Sequence, residues 1–163
     1  MIAFANKLSK KIFNRYESFE EYLKRAEKKC EELNKNTSEF VAEDHLYSME
    51  ITREELGLDD DLIDSLLEDY VTQIINTLPQ FRKIIKNIRN DIKKGKNADF
   101  TPLRDLAHKN LGVARNLRIK DAQKILYSIM KNDDLDGVER CLEYLEACAV
   151  LLKPKAAYKA YRS

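Results

Sequence analysis

A run of apolar residues from Asp59 to Lys94 constrains the fold of this chain more than any other feature. Large apolar side chains recur there at four-residue spacing, doubled by their neighbours, and continue beyond Pro79: Leu62, Ile63, Leu66, Leu67, Tyr70, Val71, Ile74, Ile75, Phe81, Ile84, Ile85, Ile88 and Ile92. This spacing predicts one long core helix, which Gly95 ends. Pro79 removes one backbone hydrogen bond, so a kink or a break is expected in the middle of the helix.

The composition favours helices over sheets and turns. The 163 residues include no Trp, four Gly and three Pro, and 35% of them are charged. The length suffices to bury a real core, and it predicts one domain with an extension. The 29 basic and 28 acidic side chains leave a net charge of +1, so no global field favours a nucleic acid or an anionic membrane. We expect neither partner.

Caps and apolar spacing predict further helices before the long one. A short amphipathic helix is expected over residues 3–15, and a second begins at Ser18, which forms a capping box with Glu21. Thr52 and Glu55 form another capping box, for a single turn that Gly57 closes. The pattern between these elements is irregular and includes His45, which has no partner at useful spacing and is interpreted as a structural residue.

Three amphipathic helices follow the long one. The first begins with Thr101 as N-cap and Pro102 at the first helical position and runs to about Leu117. The second covers Lys120 to Lys131, and the third runs from about Asp134 to Leu152, where Pro154 ends it. With the long helix they predict an all-α, antiparallel four-helix bundle. The division is then a helical extension and connector over 1–50, the bundle over 51–153, and a C-terminal tail over 154–163.

The cysteines predict a reducing compartment. Cys30, Cys141 and Cys148 are an odd number without the spacing of metal ligands, and all three are expected to be reduced in a cytoplasmic protein. The longest apolar run, Ala147 to Leu152, is too short to cross a bilayer, and lysines occupy the N-terminal stretch where a signal peptide would be apolar. We therefore expect neither a membrane span nor a targeting segment.

His108 is the main candidate for a functional residue. At about 100° per residue, Leu103, Ala107, Leu111 and Ala114 form the buried face of its helix, and His108 lies about 120° from the centre of that face. Arg104 and Arg115 lie close to its direction, and Gly112 is its neighbour one turn later. An interior helical glycine costs about 1 kcal/mol relative to alanine, so it needs a reason. Close approach of another molecule to the exposed ring is such a reason.

This order of elements resembles the histidine-containing phosphotransfer (HPt) domain of phosphorelays over about residues 52–152. The family carries Ala-His-x-Leu-Lys-Gly around its histidine and Asn-Leu-Gly-Ala at the following turn. The residues of this chain that match are Ala107, His108, Gly112, Ala114, Asn116 and Leu117. Three positions depart: Asn110 replaces the usual leucine, Leu111 the usual lysine, and Arg118 the turn glycine.

The departures have physical consequences. The family's lysine lies beside the phosphorylated ring and offsets phosphate charge, which Arg104 and Arg115 could supply here. Arg118 implies either a turn of different shape or an arginine in the left-handed conformation at some strain. Neither change removes the nucleophile.

The resemblance implies that His108 exchanges a phosphoryl group with the aspartate of a response-regulator receiver domain. The partner, a receiver or a hybrid histidine kinase, would contribute Mg²⁺ and the acidic pocket. Arg104, Lys109, Leu111, Gly112 and Arg115 would stabilise the phosphate or contact that partner. The chain has no G-x-x-x-x-G-K loop and no carboxylates spaced for a metal, so no cofactor of its own, no metal site and no independent catalytic activity are expected. A monomer rather than a dimer is expected.

Two other functions remain open from the sequence. The first is an adaptor that keeps the bundle and binds a receiver or kinase without accepting phosphate. The second is a helical-bundle enzyme with its own cofactor, which no constellation of residues supports. Acceptance of phosphate by the wild-type chain but not by a His108→Gln variant separates the relay from the adaptor.

Overall fold

The computed structural model describes residues 17–36 and 47–163. Every regular element in these two ranges is a helix, and we number the helices in chain order. They are α1 (Phe19–Asn36), α2 (Met49–Leu56), α3 (Asp60–Lys93), α4 (Thr101–Asn116), α5 (Lys120–Lys131), α6 (Leu135–Leu152) and α7 (Pro154–Arg162). The predicted all-α class is thus confirmed for this part of the chain. The helix predicted over 3–15 and His45 lie outside the described residues.

Helix α3 is continuous through Pro79 over 34 residues, so the expected break does not occur. Asp59 begins it by accepting a hydrogen bond from the Leu62 backbone N–H at 2.8 Å. Its end lies where Gly95 adopts a left-handed φ of 72°. Most of the apolar side chains predicted for this helix are buried, including Tyr70 and Ile74, while Leu62 and Ile92 remain about half exposed.

The helices from α3 to α6 contact one another in a closed circuit. Helix α3 packs against α4 and α6, and α5 packs against the same two helices. The buried side chains between them are mostly aliphatic, with Phe81 fully buried on α3. Short connections join α4 to α5 and α5 to α6, so consecutive helices in contact reverse direction. None of the helices in the described ranges is long and apolar enough to cross a membrane.

Helix α1 and helix α7 add to this core from one side. Helix α1 packs along α6, and α7 packs against α3 and α6 and touches α1. Tyr22 and Leu33 of α1 are each 1% exposed or less, so the predicted extension shares the core of the bundle. The capping box predicted at its start is present, since Ser18 Oγ accepts from the Glu21 N–H at 3.2 Å and Glu21 reaches back to Ser18 N.

The predicted start of α2 was wrong. Helix α2 begins earlier than expected, because Ser48 is its N-cap and accepts a hydrogen bond from the Ile51 N–H at 3.2 Å. Thr52, predicted as a cap, is buried inside the helix and donates its hydroxyl to the Ser48 carbonyl at 3.0 Å. Gly57 ends the helix with a φ of 66°, as predicted.

The predicted C-terminal tail is helix α7. Pro154 ends α6 and also occupies the first turn of α7, where its missing N–H costs nothing. Ala157 and Ala160 are buried, and the ring of Tyr161 stacks on the ring of Tyr22 with centroids 4.6 Å apart. The helix therefore packs on the bundle instead of extending from it.

Candidate functional site

The start of α4 differs by one residue from its prediction. Thr101 is the first helical residue, and Phe100 precedes it without a side-chain cap. The prediction of Thr101 as N-cap is therefore wrong, and the carboxylate of Asp99 accepts a hydrogen bond from the Thr101 backbone N–H at 2.9 Å. This backbone hydrogen bond lowers the pKa of Asp99 from its ordinary value. Pro102 lies in the first turn, as predicted.

His108 is exposed in the middle of α4, one turn or more from either end. Leu103, Ala107, Leu111 and Ala114 are all 1% exposed or less, so the predicted buried face of the helix is the observed one. No group in the described part of the chain forms a hydrogen bond or ion pair with the imidazole. Both ring nitrogens are therefore available to another molecule, and neither tautomer is fixed by a neighbour.

Contacts on the two flanks of α4 show which way His108 faces. On one flank the amide of Asn110 accepts a hydrogen bond from Gln73 of α3 at 3.3 Å. On the other flank Arg104 forms an ion pair of 2.7 Å with Asp133, which follows α5. His108 lies about 40° from Arg104 on the helix wheel and about 160° from Asn110. It therefore lies on the α5 side of the exposed face.

Three cations and one carboxylate lie near His108 along the helix. Arg104 is one turn earlier, bound to Asp133 and 5.7 Å from the ring centroid of Phe100. Lys109 and Arg115 are exposed, and their side chains form no ion pair with any residue of the described ranges. Asp105 is the exposed acidic neighbour at i−3. The local balance is positive although the chain as a whole is nearly neutral.

Gly112 leaves open space one turn after His108. A Cβ atom built on Gly112 would meet no atom within 4 Å, and its backbone is helical. By contrast, a Cβ on Gly137 of α6 would lie 2.6 Å from Nδ2 of Asn132. A side chain at 137 would thus have to displace that of Asn132, whereas nothing in the described protein restricts a side chain at 112.

Leu111, predicted among the residues that contact phosphate or a partner, is 1% exposed and belongs to the core. That assignment needs correction, because a side chain on the inner face cannot reach a molecule at His108. Asn110 is equally buried, and its amide donates to the Leu106 carbonyl at 2.8 Å in addition to its bond with Gln73. The buried amide of Asn110 is therefore satisfied by these two hydrogen bonds.

The turn between α4 and α5 follows the second of the two predicted forms. Arg118 has a φ of 62°, the left-handed conformation that glycine adopts more readily. Its guanidinium donates to the Arg115 carbonyl at 2.8 Å and pairs with Glu55 of α2. These bonds hold the arginine in its strained backbone conformation and connect the turn to α2.

Sequence reasoning missed Tyr127 of α5. Its side chain is 50% exposed, and Lys131 lies over its ring at 5.5 Å. Arg104 of α4 pairs with Asp133 after α5, and the two helices run in opposite directions. Tyr127 lies six residues before Asp133, so it is level with the part of α4 about six residues after Arg104, residues 108–112. Asp121 interacts with Cys148 of α6, and on the helix wheel Tyr127 lies about 120° from Asp121, on the other side of the buried face of α5. We infer from this that Tyr127 lies on the flank of α5 toward α4. An aromatic residue on the polar side of the predicted α5 wheel was the available signal.

We name the surface formed by Arg104, His108, Gly112, Arg115 and Tyr127 the His108 face. It combines an exposed imidazole, two guanidinium groups, a gap in the helix surface and one exposed aromatic ring. Among the described residues, no three His, Cys, Asp or Glu side chains are placed to hold a metal ion. The chemistry that this face can perform is nucleophilic attack by the imidazole on a group brought by another molecule.

Comparison with known proteins adds no assignment. No protein-family model matches the chain, and neither a curated protein nor a solved structure is significantly similar to it.

Proposed function

We propose that this protein is a phosphorelay intermediate in which His108 accepts a phosphoryl group from the aspartyl phosphate of a receiver domain and can return it. The observation that carries the proposal is the pairing of an exposed, unbonded imidazole with a glycine whose missing side chain has no intramolecular reason. A partner that must approach the ring closely accounts for both.

The scaffold supports this proposal. Phosphoryl transfer depends mainly on alignment and on charges around the equatorial oxygens, so a nucleophile on a rigid element is adequate. The α4 helix contacts both α3 and α5, and the circuit of contacts from α3 to α6 supports the proposal because the relay needs a nucleophile on a packed helical scaffold. Its core residues at 103, 107 and 111 fix the direction in which His108 projects.

Two arginines would stabilise the phosphorylated ring in place of the family's lysine. Arg115 has no competing ion pair among the described residues and lies about 20° from His108 on the wheel. Arg104 is bound to Asp133, but both side chains of that pair are about half exposed or more. Such a pair contributes about 0–1 kcal/mol, so exchange of Asp133 for a phosphate costs little.

In the proposed reaction one imidazole nitrogen attacks the phosphorus of the aspartyl phosphate. The P–O bond to the aspartate breaks, the P–N bond forms, and the carboxylate leaves on the receiver. The partner would bring Mg²⁺ and the acidic pocket, while this chain contributes the nucleophile and the arginines. The exposed ring of Tyr127 and the gap at Gly112 would contact the receiver.

The test uses several receiver domains phosphorylated by a small-molecule donor. Wild-type protein is expected to acquire acid-labile phosphate from at least one of them, and His108→Gln none. The Arg115→Gln variant is the matched comparison for His108→Gln, because it removes charge from the same face and keeps the nucleophile. It is expected to be labelled more slowly.

The second candidate is an adaptor that binds a receiver or kinase without accepting phosphate. The buried Leu111 and the engagement of Arg104 by Asp133 favour it, since both reduce the charge available to a phosphate. A wild-type chain that binds a phosphorylated receiver but remains unlabelled would support the adaptor and contradict the relay.

A further inference from the structure

Two cysteines from distant parts of the chain meet inside the protein. Cys30 on α1 and Cys148 on α6 are 118 residues apart in sequence, and their Sγ atoms are 4.0 Å apart. Each residue is 7% exposed, and neither forms a disulfide in the structure. The third cysteine, Cys141, lies two turns earlier on α6 and is also buried. The proposed relay uses none of these thiols.

A cavity reaches the pair. Bounded by the described residues, it has a volume of about 740 Å³, and both Cys30 and Cys148 line it. Its lining also includes exposed side chains such as Glu55, Lys120 and Leu151. The two cysteines therefore lie in the wall of a cavity whose lining extends to exposed residues, whereas Cys141 does not line this cavity.

We propose that Cys30 and Cys148 form a redox modification site that closes to a disulfide under a peroxide. One thiol attacks the peroxide, giving a sulfenic acid and one water, and the second thiol displaces the hydroxyl as another water. In sum, two thiols and one hydrogen peroxide give one disulfide and two water molecules. The product ties α1 covalently to α6.

The surroundings of Cys148 make this reaction slow at neutral pH. Its hydrogen bond with Cys30, its burial and the nearby carboxylate of Asp121 raise the pKa of the Cys148 thiol well above the ordinary value. The thiolate is the reactive form. The pair is thus expected to stay reduced at low peroxide and to close under sustained oxidation.

The experiment treats folded protein with hydrogen peroxide, then denatures, alkylates, digests and maps the cysteines by mass spectrometry. The expected product is a peptide that links Cys30 to Cys148, with Cys141 alkylated. The Cys141→Ala variant should give the same link, and Cys148→Ala should give none. Because wild-type protein alone identifies the link, the result does not depend on the folding of either variant.

The same oxidation of urea-unfolded protein is the control for geometry. Cys141 and Cys148 close the shortest loop in the unfolded chain, so that pair should dominate there. If folded protein gave the unfolded pattern, or no Cys30–Cys148 link, the proposal would be overturned.

Thermal unfolding gives a second readout. A crosslink between residues so far apart restricts the unfolded chain, and it is expected to raise Tm by roughly 10 °C, reversibly on reduction. A lower Tm in the crosslinked protein would mean that the fold must distort to join the sulfurs, and would contradict the geometry on which the site rests. Neither outcome depends on the function of His108.

Discussion

The His108 face differs in its hydrogen bonding from the region where α1 and α7 pack against α3 and α6. In that region, which we call the paired side, the polar groups of Arg25, Arg82, Glu146 and Tyr158 bond to other elements of the chain. Glu146 accepts hydrogen bonds from Arg82 at 3.0 Å and Arg25 at 3.4 Å. Tyr158 donates its hydroxyl to the Glu17 carbonyl at 2.7 Å. On the His108 face, His108 and Arg115 have no such partner among the described residues.

This difference distinguishes polar residues that stabilise the fold from polar residues whose presence the fold does not require. A polar residue that bonds to another helix contributes to the arrangement of the helices. An exposed imidazole and an unpaired arginine beside a glycine that costs helix stability contribute nothing comparable. The comparison therefore predicts that substitutions on the paired side change stability, whereas substitutions on the His108 face change function.

The largest expected effect is the loss of the Tyr22 side chain. Tyr22 is 1% exposed and stacks on Tyr161, so Tyr22→Ala should lower the free energy of unfolding by about 3–5 kcal/mol, as for other buried aromatic residues. The matched Tyr127→Ala on the His108 face should change it by about 0.5 kcal/mol or less. Urea unfolding followed by circular dichroism measures both. Equal losses of unfolding free energy in the two variants would show that the two regions do not differ in their contribution to stability.

Tyr22→Phe refines this prediction. The Tyr22 hydroxyl is buried without a hydrogen-bond partner in the described structure, so its removal should be neutral or stabilising at pH 7. Burial and the charge of Glu146 raise the pKa of Tyr22. Above the ordinary pKa of 10.0 the unfolded chain releases this proton while the folded chain retains it, so the folded protein loses stability as pH rises above 10.0. The free energy of unfolding of the variant should fall less than that of wild type at alkaline pH. An equal fall would show that ionisation of Tyr22 does not contribute to the loss.

An intermediate effect is expected from Glu146→Gln. The Glu146 side chain is 11% exposed, and its two arginine partners are each about half exposed and can be rehydrated. Loss of the charge should destabilise the protein by about 1–3 kcal/mol. Arg115→Gln on the His108 face is the control and should leave the unfolding midpoint unchanged. A stable Glu146→Gln variant would show that the pairing does not hold α1 and α3 to α6.

The smallest effect on stability is expected from alanine substitutions at the two helical glycines, which should differ in their effect on phosphoryl transfer. Gly112→Ala meets open space and should stabilise the protein by up to about 1 kcal/mol. Gly137→Ala should gain less or lose stability, because its Cβ would lie 2.6 Å from Asn132 Nδ2. Gly112→Ala should nevertheless slow phosphoryl transfer from a receiver, while Gly137→Ala should not. A Gly112→Ala protein that is less stable would show that folding requires this glycine.

Local signals predicted most of the fold. Apolar periodicity located the helices from α3 to α6, and the capping box at Ser18 and the glycine at 57 marked two boundaries correctly. Errors arose where one residue type serves two purposes. Pro154 was interpreted only as a stop although it also begins α7, and Thr52 has a cap's composition but lies inside α2. A single sequence does not show that Ser48, instead of Thr52, caps α2, or that Asp99 accepts the backbone N–H of Thr101.

The sequence predicted which side of α4 is exposed, but not which residues form the His108 face. The wheel correctly placed His108 outside and Leu111 inside, yet Leu111 was still assigned to partner contact by analogy with the family's lysine. The pairing of Arg104 with Asp133 and the position of Tyr127 beside α4 depend on how α5 packs, which no local pattern encodes. Tertiary contacts of this kind decide which exposed residues form one surface.

Mass spectrometry of wild-type protein after incubation with phosphorylated receiver domains, under neutral conditions that preserve phosphohistidine, tests the relay function directly. We expect one acid-labile phosphoryl group, located on His108 and returned to an unphosphorylated receiver. A protein that binds a receiver yet carries no phosphate, or that carries it on another residue, would show that His108 is not a phosphorelay residue.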